Sequence, residues 1–95
     1  MPAYWVSRVH VTDPEEYARY GARVGAVIET FGGRFLARGG KQVILEGGAF
    51  ERTVVIRFPD VKTAEDCYRS AEYQDARQFT LNSSERHIAI VEGLE

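Results

Sequence analysis

Cysteine is nearly absent from this chain. Cys67 is the only one in 95 residues, so no disulfide can form within the chain and a reducing compartment is expected. Histidine is almost as scarce: His10 and His87 stand alone at opposite ends of the sequence. With no ligand spacing among them, no metal site is expected. Charge of one sign is not in excess either. Twelve basic and 14 acidic residues leave a net charge of −2, without the basic stripe that marks a nucleic-acid partner. Apolar runs such as Val43-Ile44-Leu45 are only a few residues long, far short of the roughly 20 that cross a bilayer. The start, Met1-Pro2-Ala3-Tyr4-Trp5, has neither the basic residues nor the apolar stretch of a secretory leader. These absences lead to the expectation of a cytoplasmic protein without a membrane or nucleic-acid partner. No Gly-x-Ser-x-Gly elbow, phosphate loop or dinucleotide fingerprint is present, so no nucleophilic serine and no cofactor are expected.

What is present begins with glycine. Gly32-Gly33-Arg34-Phe35-Leu36-Ala37-Arg38-Gly39-Gly40 is a short alternating segment fenced by glycine pairs, each able to turn or bulge the backbone. Strict alternation sets Phe35 and Ala37 on one side and Arg34, Leu36 and Arg38 on the other. Two guanidinium groups on one strand face make Arg34 and Arg38 a candidate anion site, since each fork can hold a carboxylate or phosphate. The alternative is an ordinary surface ion pair with Glu46 or Glu51.

The rest of the chain falls into alternating periodicities. Ala3–Val11 reads as a strand rich in β-branched and aromatic residues. Asp13 and Pro14 announce a helix, with Glu16 placed to complete a capping box. Tyr17, Tyr20, Val24, Val27, Ile28 and Phe31 form its apolar stripe, and Gly32-Gly33 ends it. Gly21 and Gly25 beside the stripe imply a close approach of helix and sheet. Arg34–Arg38 is a second strand, and Gln42–Glu46 is expected to continue it or to begin a neighbour. Arg52–Phe58 is a third strand. Ala64, Cys67, Tyr68 and Ala71 mark a second helix, and Ser70 recaps a further one reaching about Phe79. His87–Val91 is the last strand. Strand, helix, strand, strand, helix, strand is the ferredoxin-like split βαβ plan, an α+β fold with an antiparallel sheet and its helices on one face, in a single domain spanning residues 1–95. Both faces of the strands are apolar: Val54, Ile56 and Phe58 oppose Val55, and Ile88 and Ile90 oppose Ala89 and Val91. Helices cover only one face, and a chain of this size buries only about 60–65% of its extended surface. A homodimer packed face to face is therefore expected.

The stretches Tyr4-Trp5-Val6, the glycine-fenced strand, Leu45-Glu46-Gly47, Arg52–Pro59, Ser70-Ala71-Glu72-Tyr73-Gln74 and Val91-Glu92-Gly93 resemble the bacterial domain of unknown function 1330 family over nearly the whole chain. The resemblance implies membership of the dimeric α+β barrel superfamily, which includes small-molecule monooxygenases, isomerases and ligand-sensing domains, but it brings no established activity. Arg38 and Glu46 match the family pattern. His10 and Arg57 stand where acidic residues are common, Cys67 where tryptophan is common and Ala71 where proline is common.

The candidate site residues are therefore Arg34, Arg38, Glu46 and Tyr73 for a ligand, with Tyr73 in a turn that covers a pocket mouth, and His10 as a base near neutral pH. Each has a plainer reading: a surface ion pair for the arginines and a hydrogen-bonded structural histidine for His10, more so for His87. Ordinary core packing is the plainer reading for Tyr17, Tyr20, Tyr68 and Tyr73, and Cys67 reads as a small core residue. Two functions follow. One is a small homodimer that binds a small acidic or aromatic molecule. The other is a cofactor-free enzyme, of isomerase or monooxygenase type, using His10 as base, Arg38 to hold an anion and Tyr73 to orient the substrate.

Overall fold

The computed structural model describes residues 1–95. Strand β1 (Ala3–Val11) leads into helix α1 (Pro14–Thr30), strands β2 (Arg34–Arg38) and β3 (Arg52–Phe58), helices α2 (Val61–Arg69) and α3 (Ala71–Arg77), a 3-10 turn (Gln78–Thr80) and strand β4 (Ser84–Glu92). The sheet order is β2-β3-β1-β4 and every pairing is antiparallel. This is the ferredoxin-like arrangement.

Local chemistry sets the element ends. The Asp13 carboxylate accepts from Glu16 N–H at 3.3 Å, and Pro14 occupies the first turn of α1. Only half of the expected capping box forms: Asp13 N–H donates to Ser83 O, and the Glu16 carboxylate turns to Arg19 at 3.7 Å. Gly32, at φ +76°, reverses the chain, so that the Gly32 and Gly33 amides close on Glu29 O and Ile28 O. Asp60 caps α2 through Thr63 N–H at 2.7 Å. Ser70 serves two helices at once: its hydroxyl donates to Cys67 O at 2.7 Å and accepts from Tyr73 N–H at 3.1 Å. The sharp joint between α2 and α3 is built on that one side chain.

All helices lie on one sheet face. Ala3, Trp5, Ser7 and Val9 of β1, with Ile56 and Phe58 of β3, point into it, and the core joins them to Val24, Ile28, Ala64, Cys67 and Tyr73. Burial pushes the Cys67 thiol up to about 11, which keeps it protonated and inert, as a core residue. The opposite face carries Tyr4, Val6, Arg8 and His10 of β1, Val55 and Arg57 of β3, and His87, Ala89 and Val91 of β4 by alternation and register. No helix covers it. The molecule is a slab of 33 × 33 × 17 Å. It exposes 6008 Å², whereas a compact 10.7 kDa chain exposes about 5,500 Å². The surplus reflects the open sheet and one long loop.

That loop is the main departure from the expected elements. Gln42–Glu46 is not a strand: residues 39–51 carry no regular structure, and Val43, Ile44 and Leu45 are 74%, 44% and 87% exposed. Gly39, at φ +71°, turns the chain away after its amide has bonded to Thr53 O. From there side chains replace the ladder. Gln42 donates to Phe50 O at 2.7 Å and accepts from the Thr53 hydroxyl at 2.6 Å. The loop is pinned to β3, and the outer edge of β2 is left without a neighbour.

Gly33 and Gly21 give opposite forecasts for stability. A Cβ at Gly33 would lie 2.5 Å from Ile28 Cγ2 and 2.8 Å from Phe58 Cε1, both in the core. Gly33→Ala is expected to cost about 1–3 kcal/mol through overpacking. A Cβ at Gly21 meets nothing within 4 Å, so Gly21→Ala is expected to gain about 0.5–1 kcal/mol from helix propensity. Urea denaturation of the two variants checks the sign of each.

Candidate functional site

A bulge in β2 creates the site. Arg34 pairs with Arg57 and Phe35 with Ile56, but Ala37 then pairs with Val55 and Arg38 with Val54. The extra residue shifts the alternation by one. Arg34 and Ala37 therefore stay with the open face, while Phe35 and Arg38 turn toward the helices. The expected pairing of Arg34 with Arg38 on one face is corrected by this bulge. Arg38 becomes a strap between sheet and helix. Its guanidinium lies 4.3 Å from the Phe35 ring centre and donates to Gly21 O at 3.1 Å. It passes close to Gly25, where a Cβ would sit 3.6 Å from Arg38 Nη1, in ordinary contact. The side of α1 that carries Gly21 and Gly25 thus meets an arginine from the sheet.

Under the strap lies a cavity of about 30 Å³, lined by Trp5, Ser7, Tyr17, Tyr20, Val24, Phe35, Arg38, Arg52, Val54 and Ile56 among others. It is large enough for one or two waters. Arg52 pairs with buried Val9 and so shares the helix-side face. Its guanidinium lies over Gly39, whose φ of +71° is the conformation that calls for glycine there. The buried Nε of Arg52 has no hydrogen-bond partner.

Beside the cavity Tyr20 and Tyr73 join hydroxyls at 2.9 Å, and Arg86 of β4 donates to the Tyr73 hydroxyl at 2.9 Å while lying 4.9 Å from the Tyr20 ring centre. Burial raises Tyr17 and Tyr73 above the ordinary phenol range, so both remain neutral donors. Arg86 stays charged: burial works against its charge, but its contacts with Tyr20 and Tyr73 outweigh that and hold its pKa above the ordinary value. The ion pairs of the protein join Glu51 to His10, Glu16 to Arg19, Asp66 to Lys62 and Glu65 to Arg69. Arg38, Arg52 and Arg86 enter none of them. Three cations therefore converge on one layer with aromatic and hydroxyl company and no carboxylate.

Of the residues singled out in the sequence, Arg38 and Tyr73 fall in this layer. Tyr73 is fully buried, so it forms the floor of the layer rather than a cover at a mouth. Arg34 is exposed on the other face and makes no ion pair with Glu46 or Glu51. Glu46 lies on the exposed loop, in a groove with Arg8, Gln42 and Thr53. His10 is on the open face, its Nδ1 2.8 Å from the Glu51 carboxylate. His87 sits opposite Arg8 with its ring 4.6 Å from Phe50. The sheet thus separates His10 from Arg38 and Tyr73 within one protomer. Arg52 and Arg86 escaped notice although their phase marked them. Arg52 shares parity with Val54, Ile56 and Phe58, and Arg86 with Ile88 and Ile90. An arginine in step with a strand's apolar face is directed into the core layer.

The His10–Glu51 contact is pH-dependent. Hydrogen bonds from Val11 N–H and from His10 hold Glu51 at about 2, and the Glu51 contact raises His10 above 6.5. Stability from Glu51 is present above 4.5 and lost as pH falls toward 2. Stability from His10 is present below 6.5 and lost as pH rises through its raised value. The contact is therefore strongest between about pH 4.5 and 6.5. In a proton NMR titration, Glu51→Gln is expected to bring the His10 midpoint down toward 6.5. An unchanged midpoint would rule out the contact.

The chain superimposes on a protein of unknown function from Rhodopseudomonas palustris with a TM-score of 0.81 and 19% identity, over 99% of this chain and 83% of that one. A dimeric ferredoxin-like protein of unknown function from Jannaschia sp. CCS1 gives 0.80 at 10% identity, over 98% and 100%. SnoaB, a cofactor-independent oxygenase from Streptomyces nogalater, gives 0.63 at 12% identity, over 99% and 94%. At these identities the likeness is one of fold, shared with dimeric α+β proteins. No curated protein matches the sequence. The model of a domain of unknown function, DUF1330, matches residues 2–94, and the chain belongs to that family.

Proposed function

We propose that the chain binds a small carboxylic acid with an apolar or aromatic body in the layer between α1 and the sheet, and does so as a homodimer joined through the open sheet face. The observation that carries the ligand reading is the convergence of Arg38 and Arg52 on an aromatic cavity without a carboxylate in its lining, with Arg86 behind it on Tyr20 and Tyr73. Arg52 is half-buried, and a half-buried cation without a counter-charge is costly, so an anionic ligand supplies one. The Arg38 strap is held by a single hydrogen bond and a ring contact, so it can swing to enlarge a 30 Å³ cavity. The homodimer is supported by the uncovered Tyr4, Val6, Val55, Ala89 and Val91 face and by the dimeric proteins that share the fold.

The shared fold of a cofactor-independent oxygenase favours a second reading, a cofactor-free enzyme. His10 cannot act as its base on a ligand held by Arg38, because the sheet lies between them. Such chemistry would need a substrate on the open face, where His10 is tied to Glu51.

Calorimetric titration with benzoate tests the first reading. Wild-type protein is expected to bind it, and Arg52→Met to weaken binding about tenfold or more, the worth of a charge-assisted hydrogen bond. Arg34→Met, on the opposite face, is expected to leave it unchanged. Equal losses at Arg34 and Arg52 would mean attraction by overall charge and sink the site. In sedimentation equilibrium the wild type is expected to be a dimer and Val55→Glu a monomer. A monomeric wild type would refute the assembly.

A further inference from the structure

We infer that the Tyr20 hydroxyl is the cavity's hydrogen-bond donor, held in that sense by a one-way chain from Arg86 through Tyr73, and that the site accordingly selects a ligand presenting an oxygen acceptor. The inference rests on the ligand reading above for what fills the cavity, but the direction of the chain is independent of it.

A guanidinium has donors only. At 2.9 Å, Arg86 Nη2 must therefore donate to the Tyr73 oxygen. Tyr73 retains one proton and is fully buried. The Tyr20 oxygen, at 2.9 Å, is the one other polar atom its hydroxyl meets. If Tyr20 donated to Tyr73 instead, the Tyr73 proton would be left in the core without an acceptor, at the full desolvation penalty. Burial thus fixes the order: Arg86 to Tyr73, Tyr73 to Tyr20. Tyr20 spends a lone pair on Tyr73, and its own proton is left without an acceptor in the chain. Tyr20 is among the residues that line the cavity, and the inference assigns this unspent proton to whatever enters it.

Two hydrogen bonds in series, the first charge-assisted, polarise the terminal O–H and strengthen it as a donor. Together with the guanidinium groups of Arg38 and Arg52, the cavity offers donors from three sides. Carboxylate, enolate and carbonyl oxygens satisfy such a set. An ammonium group of the same size does not. Tyr20 is in this sense a specificity residue, and Tyr73 and Arg86 are positioning residues that act through it.

Two measurements test the chain. In ligand-free protein carrying labelled tyrosines, the Tyr73 hydroxyl proton is expected to be protected from exchange and to show a nuclear Overhauser contact with the Tyr20 ring, while the Tyr20 hydroxyl proton exchanges rapidly. A protected Tyr20 proton directed at Tyr73 would overturn the proposed order. In titrations with benzoate and benzylamine, the wild type is expected to bind only benzoate and Tyr20→Phe to bind it about tenfold more weakly. Tyr20→Phe/Tyr73→Phe is expected to be no weaker than Tyr20→Phe alone, because Tyr73 acts only through Tyr20. Undiminished benzoate binding by a folded Tyr20→Phe variant, or binding of benzylamine, would overturn the role of Tyr20. If the wild type bound no carboxylate while its hydroxyl protons behaved as described, the ligand reading would fail and the order of the chain would stand.

Discussion

Trp5 is where the two layers of this molecule meet. It sits on the central strand, 2% exposed, stacked on Phe58 at 5.8 Å and set against Tyr68 at 5.7 Å and Tyr73 at 5.1 Å. Through those contacts one side chain ties β1 to β3, α2 and α3. It also forms part of the cavity wall. Fully burying a large aromatic contributes several kcal/mol and fixes its neighbours' rotamers. The position of Tyr73, and with it the hydroxyl chain to Tyr20 and Arg86, follows from packing on Trp5. So does the joint at Ser70, which exists to turn α3 back over that ring.

The second determinant is a single extra residue. Without the bulge between Phe35 and Ala37, Arg38 would project from the open face beside Arg34. With it, the guanidinium crosses to α1 and roofs the cavity. Bulges turn side chains without changing the order of strands. The same fold can therefore gain or lose a guanidinium roof over this cavity by one residue in β2.

The strands, the helix caps at Asp13 and Ser70, the glycine stop after α1 and the ferredoxin-like order were legible in the residues, because each depends on local chemistry or simple periodicity. The site was legible only in part. Alternation puts Arg38 on one face with Arg34, and the bulge parts them, since alternation cannot announce its own interruption. Gln42–Glu46 has the composition of a strand, but strand formation needs a neighbour with free backbone groups. Gly39 directs the segment away from β2, and Gln42 binds it to β3 by side-chain bonds. His10 and Tyr73 looked compatible as site partners because sequence distance says nothing about which side of a sheet each occupies. Arg52 and Arg86 were the readable signal left unused.

Glu51 and Arg52 show how closely the two faces are coupled despite that separation. They are adjacent in the chain and project in opposite directions. Glu51 holds His10 and Val11 N–H at the rim of the open face, and Arg52 points under the Arg38 strap. Phe50, next in line, packs its ring near Arg8 and His87. Three consecutive residues, 50–52, thus carry contacts on both faces of the sheet. The surface that association would cover and the cavity that an anion would fill are two sides of the same three residues.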